Sequence, residues 1–340
     1  MSQKVIAAGH ICLDMTPVFE KKSPGGLNEL FAPGKLIQVR NADVHTGGSV
    51  ANTGLAMKLF GADVLLVGKT GCDAFGDIVA GILDRYSASD GLIRDRNSST
   101  SYSIVIAPPG VDRIFLHHPG ANDTFFCADV TDAMLRGAAL FHFGYPPLMR
   151  RMYQNGGEEL ARLFRRAKEF GTATSLDMAA VDPDSEAGRA DWTEILGNVL
   201  PYVDFFLPSA EELCFMLDRA RYAGWLRRAG NGRVTDALDI RTDVVPLAEL
   251  SLGMGAKFVL VKCGALGMYY RASGEKALRE IGSGVPLDFA AWAGRSGFER
   301  GFRVEKVLSG TGAGDTSIAA FLVSVLGGCP VEKCVTRAVA

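Results

Sequence analysis

The sequence lacks several features that identify other classes of protein. Its seven cysteines are odd in number and include no Cys-x-x-Cys pair, which argues against a zinc site or a disulfide framework and favours free thiols in a reducing cytoplasm. No apolar stretch approaches the roughly 18 residues that span a bilayer, and the short apolar run at the start is broken by His10 and Asp14, which is atypical of a signal peptide. A formal net charge of −2, with scattered Lys and Arg, gives no basic field for nucleic acid. These absences predict a cytoplasmic enzyme with no membrane or nucleic-acid partner.

Length and periodicity predict an α/β fold. The 340 residues, 48% of them hydrophobic, suffice for one large α/β domain with a small accessory element. Short β-branched runs alternate with segments that carry apolar residues at helical spacing. This alternation predicts a mostly parallel central sheet with helices on both faces. The predicted strands are 5–8, 64–67, 140–143, 173–176, 203–207 and 258–261, and the predicted helices are 49–60, 148–169, 209–218 and 314–326.

Two stretches, residues 15–45 and 99–118, interrupt this alternation. They contain runs of alternating polarity at 36–39 and 102–106, separated by Pro and Gly turns. Such runs predict antiparallel strands outside the main sheet. A third stretch, residues 219–241, is rich in Arg, Gly and Ala and is interpreted as a surface insertion.

The segment GTGAGDT, residues 310–316, directly precedes an apolar helical run. Small residues before a helix leave backbone N–H groups uncovered at its positive end, where an anion binds. A carboxylate at this place would repel phosphate, so Asp315 is better used as a base. It would accept the proton of a substrate hydroxyl while the amides of Gly312, Ala313 and Gly314 stabilise charge on a phosphoryl group. That chemistry is typical of a kinase. A tight turn with Asp315 as a helix cap is the alternative.

A second glycine-rich segment, residues 47–77, begins with Gly-Gly-x-x-x-Asn and continues into a helical rhythm and a buried-strand run. With the late Gly-Ala-Gly-Asp at residues 312–315, it makes the chain resemble the ribokinase-like, PfkB-type carbohydrate kinase family over nearly its whole length. The resemblance implies a single ribokinase-like domain over residues 1–340. It also implies a small β-sheet lid, built from about 15–45 and 99–118, that closes over the sugar and forms a homodimer contact.

The resemblance implies a set of sugar-binding residues: Asp14, Gly47, Gly48, Asn52 and Asn122. A carboxylate after the first strand has several acceptor positions for two hydroxyls, and paired glycines let the backbone approach a sugar ring closely. Asn52 would present its amide one turn into the helix. The alternatives are a turn-forming Asp14 and an ordinary helix start capped by Ser49.

The resemblance also implies residues for Mg-ATP: Ser209, Glu212, Lys262, Gly264 and Thr311. Glu212 would orient magnesium-bound water, and Ser209 replaces an Asn that similar kinases carry. Lys262 ends a strand and would supply a positive charge to phosphate, with Gly264 in the turn that follows. A capping box explains Ser209 and Glu212 without any metal, and Lys262 could equally be a surface lysine.

The sequence departs from the family pattern at two places. Ser309 stands where many members have an Asp that helps to hold a monovalent cation, which argues against potassium activation. The sequence also ends at Ala340, before the segments that wall the adenine pocket in similar kinases. We therefore expect either a shortened chain or a nucleotide site completed differently.

The sequence as a whole predicts an ATP-dependent kinase that transfers the γ-phosphoryl group of Mg-ATP to a hydroxyl of a sugar or sugar-like polyol. Two alternatives stay open, a non-catalytic sugar or nucleotide sensor on a kinase scaffold and a nucleoside kinase of the same family. A dinucleotide-dependent oxidoreductase fits poorly, because the segment after the first strand is not Gly-x-Gly-x-x-Gly.

Overall fold

The computed structural model describes residues 3–19, 30–109, 113–302 and 312–340. Its strands are β1 Lys4–Gly9, β2 Cys12–Pro17, β3 Ala42–Gly47, β4 Asp63–Val67, β5 Lys69–Gly71, β6 Ile93–Asp95, β7 Tyr102–Ile106, β8 Ile114–His118, β9 Ala138–Gly144, β10 Ala173–Asp177, β11 Phe205–Phe206, β12 Phe258–Lys262, β13 Gly267–Ala272 and β14 Ser296–Arg300. Its α-helices are α1 Ser49–Leu59, α2 Ala74–Asp84, α3 Asp132–Leu135, α4 Arg150–Tyr153, α5 Glu158–Glu169, α6 Glu186–Arg189, α7 Trp192–Val199, α8 Ala210–Leu217, α9 Arg219–Ala229, α10 Val245–Gly253, α11 Glu275–Leu278, α12 Phe289–Trp292, α13 Ala313–Leu326 and α14 Val331–Val339.

The main sheet has eight strands in the order β14-β13-β12-β11-β10-β9-β1-β4. The strands from β12 to β4 pair in parallel, and β13 and β14 add an antiparallel edge. Successive strand residues point to opposite faces, so Ile6 and Ala8 pack in one apolar core while Val5 and Ala7 pack in the other. The predicted mostly parallel sheet, buried on both faces, is confirmed.

The predicted elements of this sheet are confirmed with changes at their ends. The predicted helix 148–169 is divided into α4 and α5, because Asn155, Gly156 and Gly157 have φ values of 51°, 64° and 75° that no α-helix accommodates. The predicted strand 203–207 is shorter, since only Phe205–Phe206 pairs as β11. No helix in the described parts of the chain is long and apolar enough to cross a bilayer.

A second sheet of four strands lies outside the main one, in the order β3-β2-β7-β8. The strand predicted at 102–106 is β7, but the one predicted at 36–39 is wrong, because those residues are irregular and Leu36 is 91% exposed. Alternation indicates a strand only where one face is buried, and β3 forms instead at Ala42–Gly47. The β2–β7 pairing is parallel, whereas β2–β3 and β7–β8 are antiparallel as predicted.

The segment interpreted as a surface insertion is anchored in the core. Helix α9 carries several exposed arginines, but its Trp225 is buried and donates a 2.9 Å hydrogen bond from Nε1 to Asp243. An amphipathic helix hides one apolar residue among many charged ones, which accounts for the polar composition of this segment.

Candidate active site

The carboxyl ends of β1, β9, β10 and β12 meet the amino-terminal ends of α1 and α13. In register, Gly144 lies beside Gly9 on one side and beside Asp177 on the other. Lys262 is the last residue of β12 and bridges to Ser209. In open α/β sheets this edge is where ligands bind.

Asp315 lies in the first turn of α13 and is 4% exposed. Its carboxylate accepts three hydrogen bonds, from Asn52 Nδ2 at 3.1 Å, Thr53 Oγ1 at 3.0 Å and Tyr145 Oη at 2.8 Å. The Asp315 carboxylate is therefore held by α1 and by the end of β9, and the alternative of a simple helix cap does not describe it. Sequence reasoning named Asn52 but missed Thr53 and Tyr145.

The first turn of α13 has uncovered amides. Gly312 is the N-cap residue, and among the described residues no side chain caps this helix. The residues that follow, Ala313 and Gly314, present only a methyl group and a hydrogen. The side chain of Lys262 lies beside Gly314. A Cβ placed on Gly314 would be 3.7–3.9 Å from the Cδ, Cε and Nζ atoms of Lys262. A positive charge and a helix amino terminus thus lie side by side.

Lys262 is not a surface lysine, since its side chain is 13% exposed and its Nζ lies 2.6 Å from Asp177 Oδ1. Burial lowers the pKa of Lys262, but the Asp177 and Glu212 carboxylates outweigh burial and raise it. The lysine is therefore charged at neutral pH. Burial also raises the pKa of Asp177 to about 8, with Lys262 acting in the opposite direction. Asp177 had not been singled out from the sequence.

Ser209 and Glu212 form the capping box that the sequence allows. Glu212 N donates to Ser209 Oγ at 3.2 Å, and Ser209 N donates to Glu212 Oε2 at 2.8 Å. Glu212 also lies near the site, because its charge contributes to raising the pKa of Tyr145 and of Asp177. The capping role and a role in the site are therefore compatible.

Gly264 and Thr311 are the two other residues predicted to contact the nucleotide. Gly264 is exposed and lies in the turn between β12 and β13, beside Thr235. Thr311 lies outside the described residues, as does Ser309.

Asp14, Gly47 and Gly48 lie close together at the end of the β2–β3 pair that is next to the start of α1. A Cβ on Gly47 would lie 2.1 Å from Asp14 Oδ2, and one on Gly48 would lie 2.5 Å from the carbonyl oxygen of His10. Gly48 also has a φ of 84°, which disfavours any side chain. The paired glycines therefore let the start of α1 approach Asp14 and His10. Around Asp14, Cys12 Sγ donates to Oδ1 at 3.2 Å, and His45 Nε2 lies 4.0 Å from Oδ2.

Asn122 is fully buried and bonds the backbone of one residue. Its Nδ2 donates to the carbonyl of Ile11 at 2.9 Å, and its Oδ1 accepts from the N–H of Ile11 at 3.2 Å. The amide therefore fixes the turn between β1 and β2, which carries His10. The structure gives Asn122 a supporting position behind this turn.

His10 is a further residue that sequence reasoning did not assign to the site. Its ring centroid lies 5.2 Å from that of His117 and 6.2 Å from that of Tyr145. A signal for His10 and Tyr145 existed, because each stands two residues after a predicted buried strand, at the edge where polar side chains meet ligands.

A cavity of about 860 Å³ runs along α13, lined by Phe60, Ala313, Thr316, Ala320 and Val339 among others. Of these residues, Ala313, Thr316 and Ala320 follow a three- to four-residue spacing and form one stripe of α13. Asp315 faces α1 and Tyr145 instead. This cavity therefore adjoins the amino terminus of α13 but does not contain the Asp315 carboxylate.

Comparison with known proteins gives one family. The sequence model described as pfkB family carbohydrate kinase matches residues 3–340. A protein of Archaeoglobus fulgidus described as an uncharacterized sugar kinase is 27% identical over 281 residues, which cover 82% of this chain and 90% of the relative. Fructokinase-1 of Oryza sativa is 29% identical over 176 residues, and the match spans about half of each protein, 50% of this chain and 52% of the relative.

Solved structures give the same fold. Arabidopsis thaliana ribokinase complexed with ribose and ATP has a TM-score of 0.69 at 19% identity, covering 99% of this chain and 91% of that one. At this identity the likeness concerns the fold, and it confirms the predicted ribokinase-like architecture of a large sheet with a smaller one.

Proposed function

The chain belongs to the pfkB family of carbohydrate kinases, ATP-using phosphotransferases that act on sugar hydroxyls, and we propose that it transfers the γ-phosphoryl group of Mg-ATP to a hydroxyl of a sugar or sugar-like polyol. The observation that carries this proposal is the position of Asp315. A buried carboxylate with three hydrogen-bond donors stands beside an uncapped helix amino terminus and a buried lysine. A base and an anion hole are then within one helical turn of each other.

Asp315 is the proposed general base. A carboxylate has about four acceptor positions, and Asn52, Thr53 and Tyr145 occupy three of them. No fourth donor to this carboxylate lies within the described ranges, so one position is left for a substrate hydroxyl. The three donors also fix the direction in which that position points, which favours proton transfer in a single geometry.

The phosphoryl group would lie over the start of α13. The amides of Gly312, Ala313 and Gly314 would donate to its oxygens, and the charge of Lys262 would compensate the charge that develops during transfer. Asp177 holds the Lys262 ammonium in place through its 2.6 Å contact. We also keep Ser209, Gly264 and Thr311 as proposed contacts to the nucleotide.

The residues present fit Mg²⁺, because the Glu212 carboxylate offers the oxygen ligand that Mg²⁺ prefers, and Mg²⁺ usually keeps several waters. Glu212 would hold the ion through water. When bound, Mg²⁺ neutralises phosphate charge and aligns the transferring group. Glu212 itself stays fixed by its bond to the N–H of Ser209.

The sugar would bind between β2, β3 and the start of α1. Asp14 would accept hydrogen bonds from two hydroxyls, Gly47 and Gly48 give the ring room, and Asn52 links this pocket to Asp315. For Asn122 we propose a supporting role, since its amide bonds the Ile11 backbone. The small sheet is the proposed lid.

We propose a homodimer through this small sheet and a cytoplasmic location. Exposed apolar side chains concentrate on its edge strands, where Phe115 is 52% exposed, Leu116 51% and Val44 46%. Exposed apolar side chains of this kind favour association with a second copy. All seven cysteines are unpaired, as in a reducing compartment.

The experiment that tests the proposed reaction is ADP release with Mg-ATP against pentoses, hexoses, sugar acids, sugar phosphates and nucleosides. We expect turnover with a sugar or polyol, and a loss of at least about a thousandfold in Asp315→Asn with the fold retained by circular dichroism. Near-normal turnover in Asp315→Asn would remove this residue as the base. Sugar binding without ADP release would favour the sensor, and turnover confined to nucleosides would favour the nucleoside kinase.

A further inference from the structure

His10 has a buried imidazole. The residue is 2% exposed, and neither Nδ1 nor Nε2 has a partner within the parts of the chain that the structure describes. An unpartnered buried polar group opposes folding, so its presence in a native protein requires an explanation. A bound ligand that supplies the missing partners provides one.

The surroundings of His10 place it at the junction of the proposed sugar pocket and the base. A Cβ on Gly48 would lie 2.6 Å from His10 Nδ1, so the ring packs against the paired glycines. On one side lies His117 of β8, and on the other lies Tyr145, which bonds Asp315. A substrate that reaches from Asp14 to Asp315 would pass this ring.

His117 extends the same surface from the small sheet. Its Nδ1 lies 3.1 Å from Ser103 Oγ, and its Nε2 has no hydrogen-bond partner among the described residues. The carboxylate of Asp14 is near enough to influence the pKa of His117. Two imidazoles and one carboxylate therefore lie close together.

Both rings are uncharged at neutral pH. Burial, with a smaller contribution from His117, holds the pKa of His10 well below its usual value. Burial also lowers the pKa of His117, against the opposing effect of Asp14. A neutral imidazole donates one hydrogen bond and accepts another, as a hydroxyl does. The Asp14 carboxylate beside these rings would repel a phosphate or carboxylate on the ligand.

We propose that His10, together with His117, recognises sugar hydroxyls and restricts the acceptor to uncharged sugars and polyols, excluding sugar phosphates and sugar acids. This inference rests on the proposed kinase function, because it places the acceptor between Asp14 and Asp315. It adds a specificity-determining residue and a substrate class to that function.

Two variants of His10 and one control test the assignment by calorimetric titration with D-ribose, D-fructose and myo-inositol. His10→Leu removes both hydrogen-bonding nitrogens at similar volume, and His10→Gln restores a donor and an acceptor. Thr172→Val is the matched control, because Thr172 Oγ1 is also buried and unpartnered within the described ranges. Thr172 stands before β10, at the opposite end of that strand from Asp177.

We expect His10→Leu to bind the uncharged sugar about tenfold more weakly and His10→Gln to bind it within about threefold of wild type. Without ligand, the thermal midpoint of His10→Leu should be equal to or above that of wild type, as for Thr172→Val, whose sugar affinity should not change. A lowered midpoint with unchanged sugar affinity would show a structural histidine and overturn the proposal.

The substrate class is tested separately with D-fructose 6-phosphate and D-gluconate. The proposed restriction to uncharged sugars is overturned if either anion binds more tightly than the uncharged sugars, or if no uncharged probe binds. Because titration needs no turnover, a failure here is distinct from a failure of the kinase proposal, which is read from ADP release. Turnover with an anionic sugar alone would retain the kinase and reject this inference.

Discussion

The hydroxyl of Tyr145 donates a 2.8 Å hydrogen bond to Oδ2 of Asp315, from a position 170 residues earlier in the chain. Tyr145 has a φ of 65°, a left-handed conformation that is uncommon for a bulky residue and often marks a functional constraint. Burial and the Asp315 charge hold the pKa of Tyr145 well above its usual value, so it stays a donor.

Tyr145→Phe should lower kcat about tenfold to a hundredfold, because a hydrogen bond to a carboxylate contributes roughly 1.5–3 kcal/mol and its loss lets the base rotate. The KM for ATP should change little. Steady-state kinetics with saturating sugar measures this. Tyr153→Phe, at a half-buried tyrosine packed against Trp192, is the control and should behave as wild type. An unchanged kcat in Tyr145→Phe would contradict a positioning role.

Glu212→Gln separates the two interpretations of the capping box. A Gln side chain accepts the same bond from the N–H of Ser209, so the free energy of unfolding should change by less than about 0.5 kcal/mol. Loss of the charge should weaken the response to Mg²⁺, which is measured as the Mg²⁺ concentration for half-maximal rate. If only stability falls and the Mg²⁺ response stays, Glu212 serves the cap alone.

Gly47→Ala should raise the KM for the sugar at least about tenfold, since the added Cβ would lie 2.1 Å from Asp14 Oδ2 and must displace that carboxylate. The KM for ATP should stay within about twofold of wild type. Gly197→Ala is the control. Gly197 lies in α7 with nothing within 4 Å of its Cβ position, and that change should stabilise the protein by about 0.5–1 kcal/mol. Equal effects on both KM values in Gly47→Ala would count against a sugar pocket at this place.

The pH dependence of stability should carry a contribution from Asp177. Its folded-state pKa of about 8 is above the ordinary 3.8, so the folded protein binds the extra proton. The contribution of Asp177 to the free energy of unfolding is complete below pH 3.8, the pKa in the unfolded chain, and is lost as the pH rises toward 8. Denaturant unfolding between pH 5 and 8 should show a smaller decline with pH in Asp177→Asn than in wild type. Parallel curves for the two proteins would refute the raised pKa.

Phe115→Lys should convert the proposed dimer to a monomer, because it places a charge in the exposed apolar surface of β8. Light scattering after size exclusion measures the mass. Leu250→Lys, at a residue 44% exposed on α10, is the control and should keep the mass of wild type. A monomeric wild-type protein would end the dimer proposal without affecting the kinase proposal.

The sequence by itself determined the periodic elements and the glycine-rich motifs. Strands β1, β9 and β12 follow from short buried runs, and Asp315 follows from its place in a small-residue helix start, because these signals are local. The alternating polarity of residues 36–39 predicted a strand that does not form, because this signal is local too. A local pattern does not record whether a second strand covers the apolar face.

Only the tertiary structure decided which side chains surround Asp315. Thr53, Tyr145, Asp177 and His10 belong to segments far apart in the chain, and no local pattern shows that they meet. Their juxtaposition comes from the parallel order of β10, β9 and β1, which aligns the strand ends at one edge. The base and its motif are therefore local properties, whereas the donors that orient the base, the Lys262–Asp177 contact beside it and the buried imidazole of His10 arise from the packing of the sheet.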